Sequence, residues 1–175
     1  MSYKISELLS EKEIDERIKE IADRISEDYK GKSIHMICIL KGGAFFMCEL
    51  AKRIKDTPVS LDFMSVSSYG SGTESSGIVR IDKDLDEPLE GKDVLIVEDI
   101  IDTGNTLKHL VGILGNRKPA SIEICTLLNK PDRREVEVDV KYSCFTIDDY
   151  FVVGYGLDYD QKFRNLPYIG KVEFD

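Results

Sequence analysis

Glu98-Asp99-Ile100-Ile101-Asp102-Thr103-Gly104-Asn105-Thr106 concentrates more chemistry than any other stretch of the chain. It follows Val94-Leu95-Ile96-Val97, an apolar run that reads as a buried strand. Three carboxylates at the mouth of a buried strand lose hydration unless a cation or a ligand compensates them. Behind them Thr103, Gly104, Asn105 and Thr106 open a helix. Free amides at a helix start, two threonine hydroxyls and a permissive glycine make a cradle for a phosphate monoester. The acids would repel that phosphate unless they are engaged otherwise. The simplest assignment gives Glu98 and Asp99 sugar hydroxyls or Mg²⁺, and makes Asp102 a proton acceptor. An acidic cap on an ordinary helix explains Asp102 or Thr103 alone, but not the Glu98-Asp99 pair.

Other elements must hold this segment in place. Residues 10–29 read as a helix, with Ile14, Ile18, Ile21, Ala22 and Ile25 on one face and the spacing of a capping box at Ser10 and Glu13. Residues 34–40 read as a buried strand, Lys41-Gly42-Gly43 as a turn, and 44–54 as a second helix. A strand over 59–66 leads into a polar loop, 67–77, whose one apolar side chain is Tyr69, and a strand over 77–82 returns. Residues 93–97 and 122–128 read as buried strands flanking a helix over 103–116. Short strands over 142–145, 151–153 and 169–174 complete the chain. Strand–helix–strand alternation predicts a parallel α/β sheet, whose ligands gather beyond the carboxyl ends of its strands.

The 175 residues suit a single domain over 1–175. A net charge of −9 repels phosphate backbones, so no nucleic-acid partner is expected. No apolar run approaches the length of a membrane span, so no membrane partner is expected either. Cys38, Cys48, Cys125 and Cys144 form no C-x-x-C pair and read as reduced thiols. Together with a charged N-terminal stretch, they predict a cytoplasmic location.

The run from Val94 to Gly104, a hydrophobic strand followed by an acidic pair and a Thr-Gly loop, resembles the phosphoribosyl-pyrophosphate motif of the type I phosphoribosyltransferases. Its wording, Val-Leu-Ile-Val-Glu-Asp-Ile-Ile-Asp-Thr-Gly, resembles the hypoxanthine-guanine branch, of bacterial type. Further resemblances run from about residue 37 to 170. Leu40-Lys41-Gly42-Gly43 resembles the family's pyrophosphate loop, which implies a cis peptide between Leu40 and Lys41. Ser68 and Tyr69, in 67–77, resemble the loop that closes over the site. Phe151-Val152-Val153-Gly154-Tyr155-Gly156-Leu157-Asp158-Tyr159 resembles the purine-binding segment, with Phe163-Arg164 after it.

That resemblance implies an α/β fold of the type I phosphoribosyltransferase kind, with a central, mostly parallel sheet flanked by helices. It also implies a flexible hairpin lid at 67–77 and a small C-terminal hood over about 145–175. The implied activity moves a phosphoribosyl group from phosphoribosyl pyrophosphate to hypoxanthine or guanine, giving IMP or GMP and pyrophosphate with Mg²⁺ as cofactor. Residue by residue, Asp102 is the proton acceptor, and Asp102, Thr103, Gly104, Asn105 and Thr106 hold the 5′-phosphate. Glu98 and Asp99 hold the ribose and metal, and Asp158 a second metal. Lys41, Gly42, Gly43 and Arg164 meet pyrophosphate. Phe151 stacks on the purine, Val152 meets its edge through the backbone, and Lys130 recognises the 6-oxo group. The family's habit implies a homodimer or homotetramer.

Competing motifs fail on their spacing. Gly70-Ser71-Gly72 lacks the third glycine of a dinucleotide fingerprint and opens no helix. Asp82-Lys83-Asp84-Leu85-Asp86 has Glu87 where an EF-hand needs glycine. His35 and His109 have no partner at zinc spacing. A phospho-receiver domain has an acidic pair and a Lys-Pro, as at Lys130-Pro131, but needs a phosphoacceptor Asp ending a strand between them. A nucleic-acid-binding regulator would need a basic cluster, and Arg133-Arg134 is too little. An adenine enzyme would meet an amino group where Lys130 donates.

Overall fold

The computed structural model describes residues 2–68 and 79–174; of Ser68 only the backbone is described. The element order is β1 (Tyr3–Leu9), α1 (Glu11–Asp28), β2 (Ile34–Leu40), α2 (Ala44–Arg53), β3 (Val59–Ser68), β4 (Val79–Lys83), β5 (Asp93–Ile101), α3 (Asn105–Gly115), β6 (Ser121–Asn129), β7 (Tyr142–Thr146), β8 (Val152–Val153) and β9 (Ile169–Phe174). A six-stranded sheet runs β4-β3-β2-β5-β6-β7, parallel throughout except for antiparallel β4. This is the mostly parallel sheet expected from the alternation of strands and helices.

The two inner strands are apolar on both faces because helices cover both faces. On β2, Met36 and Cys38 join one core while Ile37 and Ile39 join the other. On β5, Leu95 and Val97 go with the first and Val94 and Ile96 with the second. The first core is closed by α1, through Ile14, Ile18, Ile21, Ala22 and Ile25, and by Phe46, Met47 and Leu50 of α2. Helix α3 closes the second with Leu107, Leu110 and Leu114. Each such buried isoleucine, leucine, valine, methionine or phenylalanine contributes about 1.5–3 kcal/mol. Helix α1 starts at the predicted capping box: Ser10 Oγ accepts from Glu13 N–H, and Ser10 N–H donates to Glu13 Oε2 at 2.8 Å.

Strand order reverses direction between β2 and β5, so the chain leaves these neighbours toward opposite edges. Their carboxyl ends enclose a crevice, and Leu40-Lys41 and Glu98-Asp99 stand at it.

Four expectations need correction. β5 runs to Ile101 rather than 97, because Glu98, Ile100 and Ile101 continue the ladder against Thr126, Leu128 and Asn129 of β6. Glu98 and Asp99 therefore lie inside a strand, not after it. β3 continues through Ser67 and Ser68, paired with Arg80 and Val79, so these two belong to the sheet rather than to a loop. α3 begins at Asn105, with Thr103 still outside the helix. The hood also contains an unforeseen strand: β1, from the N-terminus, pairs antiparallel with β9, and β9 with β8. Tyr69 and the remainder of the predicted lid lie outside the described residues.

Candidate active site

Phosphate chemistry is built where β5 gives way to α3. Gly104 caps the helix with φ +85, a left-handed backbone that suits glycine. A Cβ there would stand 2.9 Å from Val138 Cγ2 and 3.1 Å from the Val136 carbonyl oxygen. No side chain caps the helix, and no acid lies in its first turn. Thr103 Oγ1 accepts the Asn105 N–H at 3.3 Å, whereas the amides of Thr106 and Leu107 have no intrahelical acceptor. A cavity of about 130 Å³ opens here, lined by Glu98, Asp102, Thr103, Gly104 and Thr106 among others. A strap after β6 clasps this loop from outside. The amides of Glu135 and Val136 both donate to the Thr103 carbonyl, at 3.0 and 3.3 Å. Asn105 Nδ2 donates to Glu135 Oε2 at 2.6 Å, and Arg133 Nε to Asp102 Oδ1 at 3.1 Å.

Beside this recess the acid pair is desolvated. Glu98 is 9% exposed, and burial, followed by the neighbouring Asp99 charge, pushes its carboxyl well above the ordinary range. Burial raises Asp99 to about 6, against the pull of backbone amides and Arg164. The pyrophosphate-type loop lies directly on Asp99: a Cβ on Gly42 would fall 1.6 Å from Asp99 Oδ2. On its other side sits the hood, where a Cβ on Gly156 (φ +100) would fall 2.1 Å from the Gly42 carbonyl oxygen. Gly43 is also hemmed in, by the Val97 and Ile39 carbonyls. The Leu40–Lys41 peptide is cis, as the resemblance implied.

Arg164 organises the hood's side of the crevice. It donates to the Gly156 carbonyl at 2.7 Å and pairs with Asp158 Oδ1 at 2.8 Å. Asp158 Oδ2 accepts the Gln161 amide, and Gln161 Oε1 accepts from both Lys41 Nζ (3.1 Å) and Arg164 Nη2 (3.3 Å). Gln161 thus ties Lys41 to Arg164. Sequence reasoning did not single it out, since a polar residue in a turn carries no pattern.

The third corner is apolar. Lys130 is only 7% exposed; its amide donates to Ile101 O, and its ammonium to the Tyr150 carbonyl at 2.5 Å. Its position beside Phe151 follows from that bond. The Phe151 ring is 46% exposed, edge-on to Tyr159 and Phe174 at 5.6 and 5.8 Å between centroids. Val152 is buried in β8. Tyr159, named in the purine-binding segment but given no role there, also packs on Tyr3 of β1, a strand that was not foreseen.

Among the described residues no three His, Cys, Asp or Glu side chains form a metal-holding group, so Glu98, Asp99 and Asp158 are not a preformed cage. Two desolvated carboxylates facing a ligand crevice do suit Mg²⁺, which takes one or two carboxylates and completes its shell with substrate oxygens and water.

The sequence matches the family model described as a phosphoribosyl transferase domain over residues 4–160. The hypoxanthine phosphoribosyltransferase of Salmonella typhimurium is 51% identical over 174 residues, 98% of this chain and 97% of that one. The hypoxanthine-guanine phosphoribosyltransferase of Staphylococcus aureus is 53% identical over 166 residues, 95% and 92% of the two chains. A crystal structure of a Staphylococcus aureus hypoxanthine phosphoribosyltransferase superposes with a TM-score of 0.93 at 52% identity, covering 96% of this chain and 91% of that one. A solved hypoxanthine phosphoribosyl transferase of Trypanosoma cruzi, studied for the role of its C-terminal region on oligomeric state and enzymatic activity, superposes at 0.92 with 41% identity, covering 99% and 94%. Fold, crevice and likeness agree along nearly the whole length, and the chain belongs to the phosphoribosyltransferase family, among its hypoxanthine-guanine members.

Proposed function

We propose that this enzyme transfers the 5-phosphoribosyl group of phosphoribosyl pyrophosphate to N9 of hypoxanthine or guanine, yielding IMP or GMP and pyrophosphate. The observation that carries the reading is the contact of Asp99, Gly42 and Gly156. It joins the acid pair, the Lys41 loop and the hood at one point, which supports a reading in which ribose, leaving group and base share a single crevice.

The C1′–oxygen bond to pyrophosphate breaks as the C1′–N9 bond forms, with inversion at C1′. Asp102, Thr103, Gly104, Asn105 and Thr106 hold the 5′-phosphate through helix-start amides and hydroxyls. Glu98 and Asp99 anchor the ribose hydroxyls. The Lys41-Gly42-Gly43 loop and Arg164 receive the charge developing on pyrophosphate. Phe151 stacks on the purine, the Val152 backbone meets its edge, and Lys130 donates to the 6-oxo group. Asp102 takes the N7 proton as N9 attacks. Ser68, at the end of β3, leads into the loop that begins with Tyr69 and excludes water. Mg²⁺, held by Glu98 and Asp99 with Asp158 serving a second ion, would supply neutralising charge to the pyrophosphate oxygens when bound. The free thiols of all four cysteines support a reducing, cytoplasmic setting. Assembly into a homodimer or homotetramer follows from the family's habit alone.

An assay with phosphoribosyl pyrophosphate, Mg²⁺ and each of hypoxanthine, guanine, xanthine and adenine tests the reading. Hypoxanthine or guanine should be converted, and chelation should stop it. Conversion of adenine alone, or of no base by a folded protein, overturns it.

A further inference from the structure

Arg134 stands in the strap that clasps the phosphate loop, and its guanidinium is in an unusual state. Nη2 donates to the Asn129 side-chain oxygen at the end of β6. Nη1 is buried and has no hydrogen-bond partner among the described residues. Its Cδ lies 3.2 Å from the point a Cβ on Gly104 would occupy, so the stem is wedged against the αL cap of α3. Burial disfavours its charge, and the Asp102 carboxylate favours it. Neighbouring Arg133 points outward and pairs with Asp102 and Asp149, so the two arginines do different things.

An arginine does not deprotonate to escape such a place, and an unfilled buried donor is costly, more so on a charged group. A formal positive charge held against a loop that has no side-chain cap becomes favourable when a dianion enters that loop. We propose that Arg134 is a positioning residue for the 5′-phosphate: its guanidinium fixes the Gly104 turn from behind and supplies the positive charge that the dianion meets across the loop. This rests on the function proposed above. In the same arrangement, Nη2 on Asn129 ties the phosphate loop to the strand end that carries Lys130, so phosphate and purine corners share one rigid support.

The test compares Arg134→Met and Arg134→Lys with the unchanged enzyme. Equilibrium binding of ribose 5-phosphate and, separately, of pyrophosphate with Mg²⁺ is measured, with a thermal melt as the check on folding. Arg134→Met should weaken ribose 5-phosphate by about tenfold or more and leave pyrophosphate within about twofold. Arg134→Lys, which keeps the charge but not the fork, should retain part of the lost affinity. Methionine fills the stem's space and removes a partly buried cation that has one unpartnered donor, so the melting temperature should stay within a few degrees. Equal weakening of both ligands would show a merely structural role, and unchanged ribose 5-phosphate binding, or an equal loss in both variants, would overturn the proposal. Failure of the unchanged enzyme to bind ribose 5-phosphate would instead strike at the function on which it rests.

Discussion

Burial, and after it the Asp99 charge, opposes ionisation of the Glu98 carboxyl and pushes it well above its ordinary value. A carboxyl whose folded pKa is raised weakens the fold as pH climbs above its ordinary value of 4.5. Glu98→Gln should therefore raise the melting temperature at pH 8 while reducing turnover at least about tenfold; a lower melting temperature at that pH would sink this account. Asp102 is different: it is partly exposed and paired with Arg133 rather than desolvated. Asp102→Asn should lower turnover by about 10²–10⁴ while leaving the Kd of phosphoribosyl pyrophosphate within about threefold. Steady-state rates beside a binding titration decide it, and unchanged turnover removes Asp102 from its role. Lys130→Ala should raise the KM for the purine more than that for phosphoribosyl pyrophosphate, and equal changes would count against it. At this scale the sequence was most legible where residue types are chemically odd. An acidic pair in an apolar run and a Thr-Gly start to a helix are visible from residue identity alone. Gln161 and Arg134 were not, because their roles come from what they touch across the fold: Lys41 with Arg164, and Gly104 with Asn129.

The elements meet through glycines. Gly42 is pressed on one side by a carboxylate and on the other, through its carbonyl, by Gly156. These contacts predict different outcomes. Gly42→Ala pushes against the end of the Asp99 side chain, which can turn away, so activity should fall steeply with a melting temperature lowered by only a few degrees. Gly156→Ala meets backbone at 2.1 Å in a left-handed conformation, so it should destabilise the hood outright. Melting curves and turnover on both variants check the pair; a Gly42→Ala enzyme with full activity would refute the contact's importance. Element identity was legible because each buried strand and amphipathic helix repeats its own period. Ends were less so. β5 reads as finished at Val97 since acids rarely continue a buried strand, yet hydrogen bonding to β6 carries it to Ile101. The strand thereby delivers Glu98 and Asp99 on a rigid ladder rather than on a loop.

Across the whole molecule, the sheet's two ends divide the labour. At the end away from the crevice, buried His35 meets Ser60 at 2.7 Å and faces Asp62, which accepts the amides of Phe63, Asp86 and Glu87. Burial, helped by Lys92, lowers the His35 pKa, so the folded protein holds it neutral. Its unfolded value is 6.5, and stability should fall as pH drops below that value. Asp62 is lowered despite its burial, because those amides and His35 outweigh desolvation, and its contribution is lost only below its ordinary 3.8. His35→Asn should therefore flatten the change in melting temperature between pH 7 and 5 relative to the unchanged protein; parallel curves would refute it. The sheet's architecture was legible because it follows from local alternation. The hood was half legible: its purine segment carries a motif, but β1 is mixed in polarity and recruited from the far end of the chain. That pairing, Tyr3 against Phe174, gives synthesis an order. A nascent chain emerging from the ribosome can assemble the sheet and its phosphate recess before β9 appears. The wall behind Phe151, by contrast, must wait until β9 emerges to meet β1.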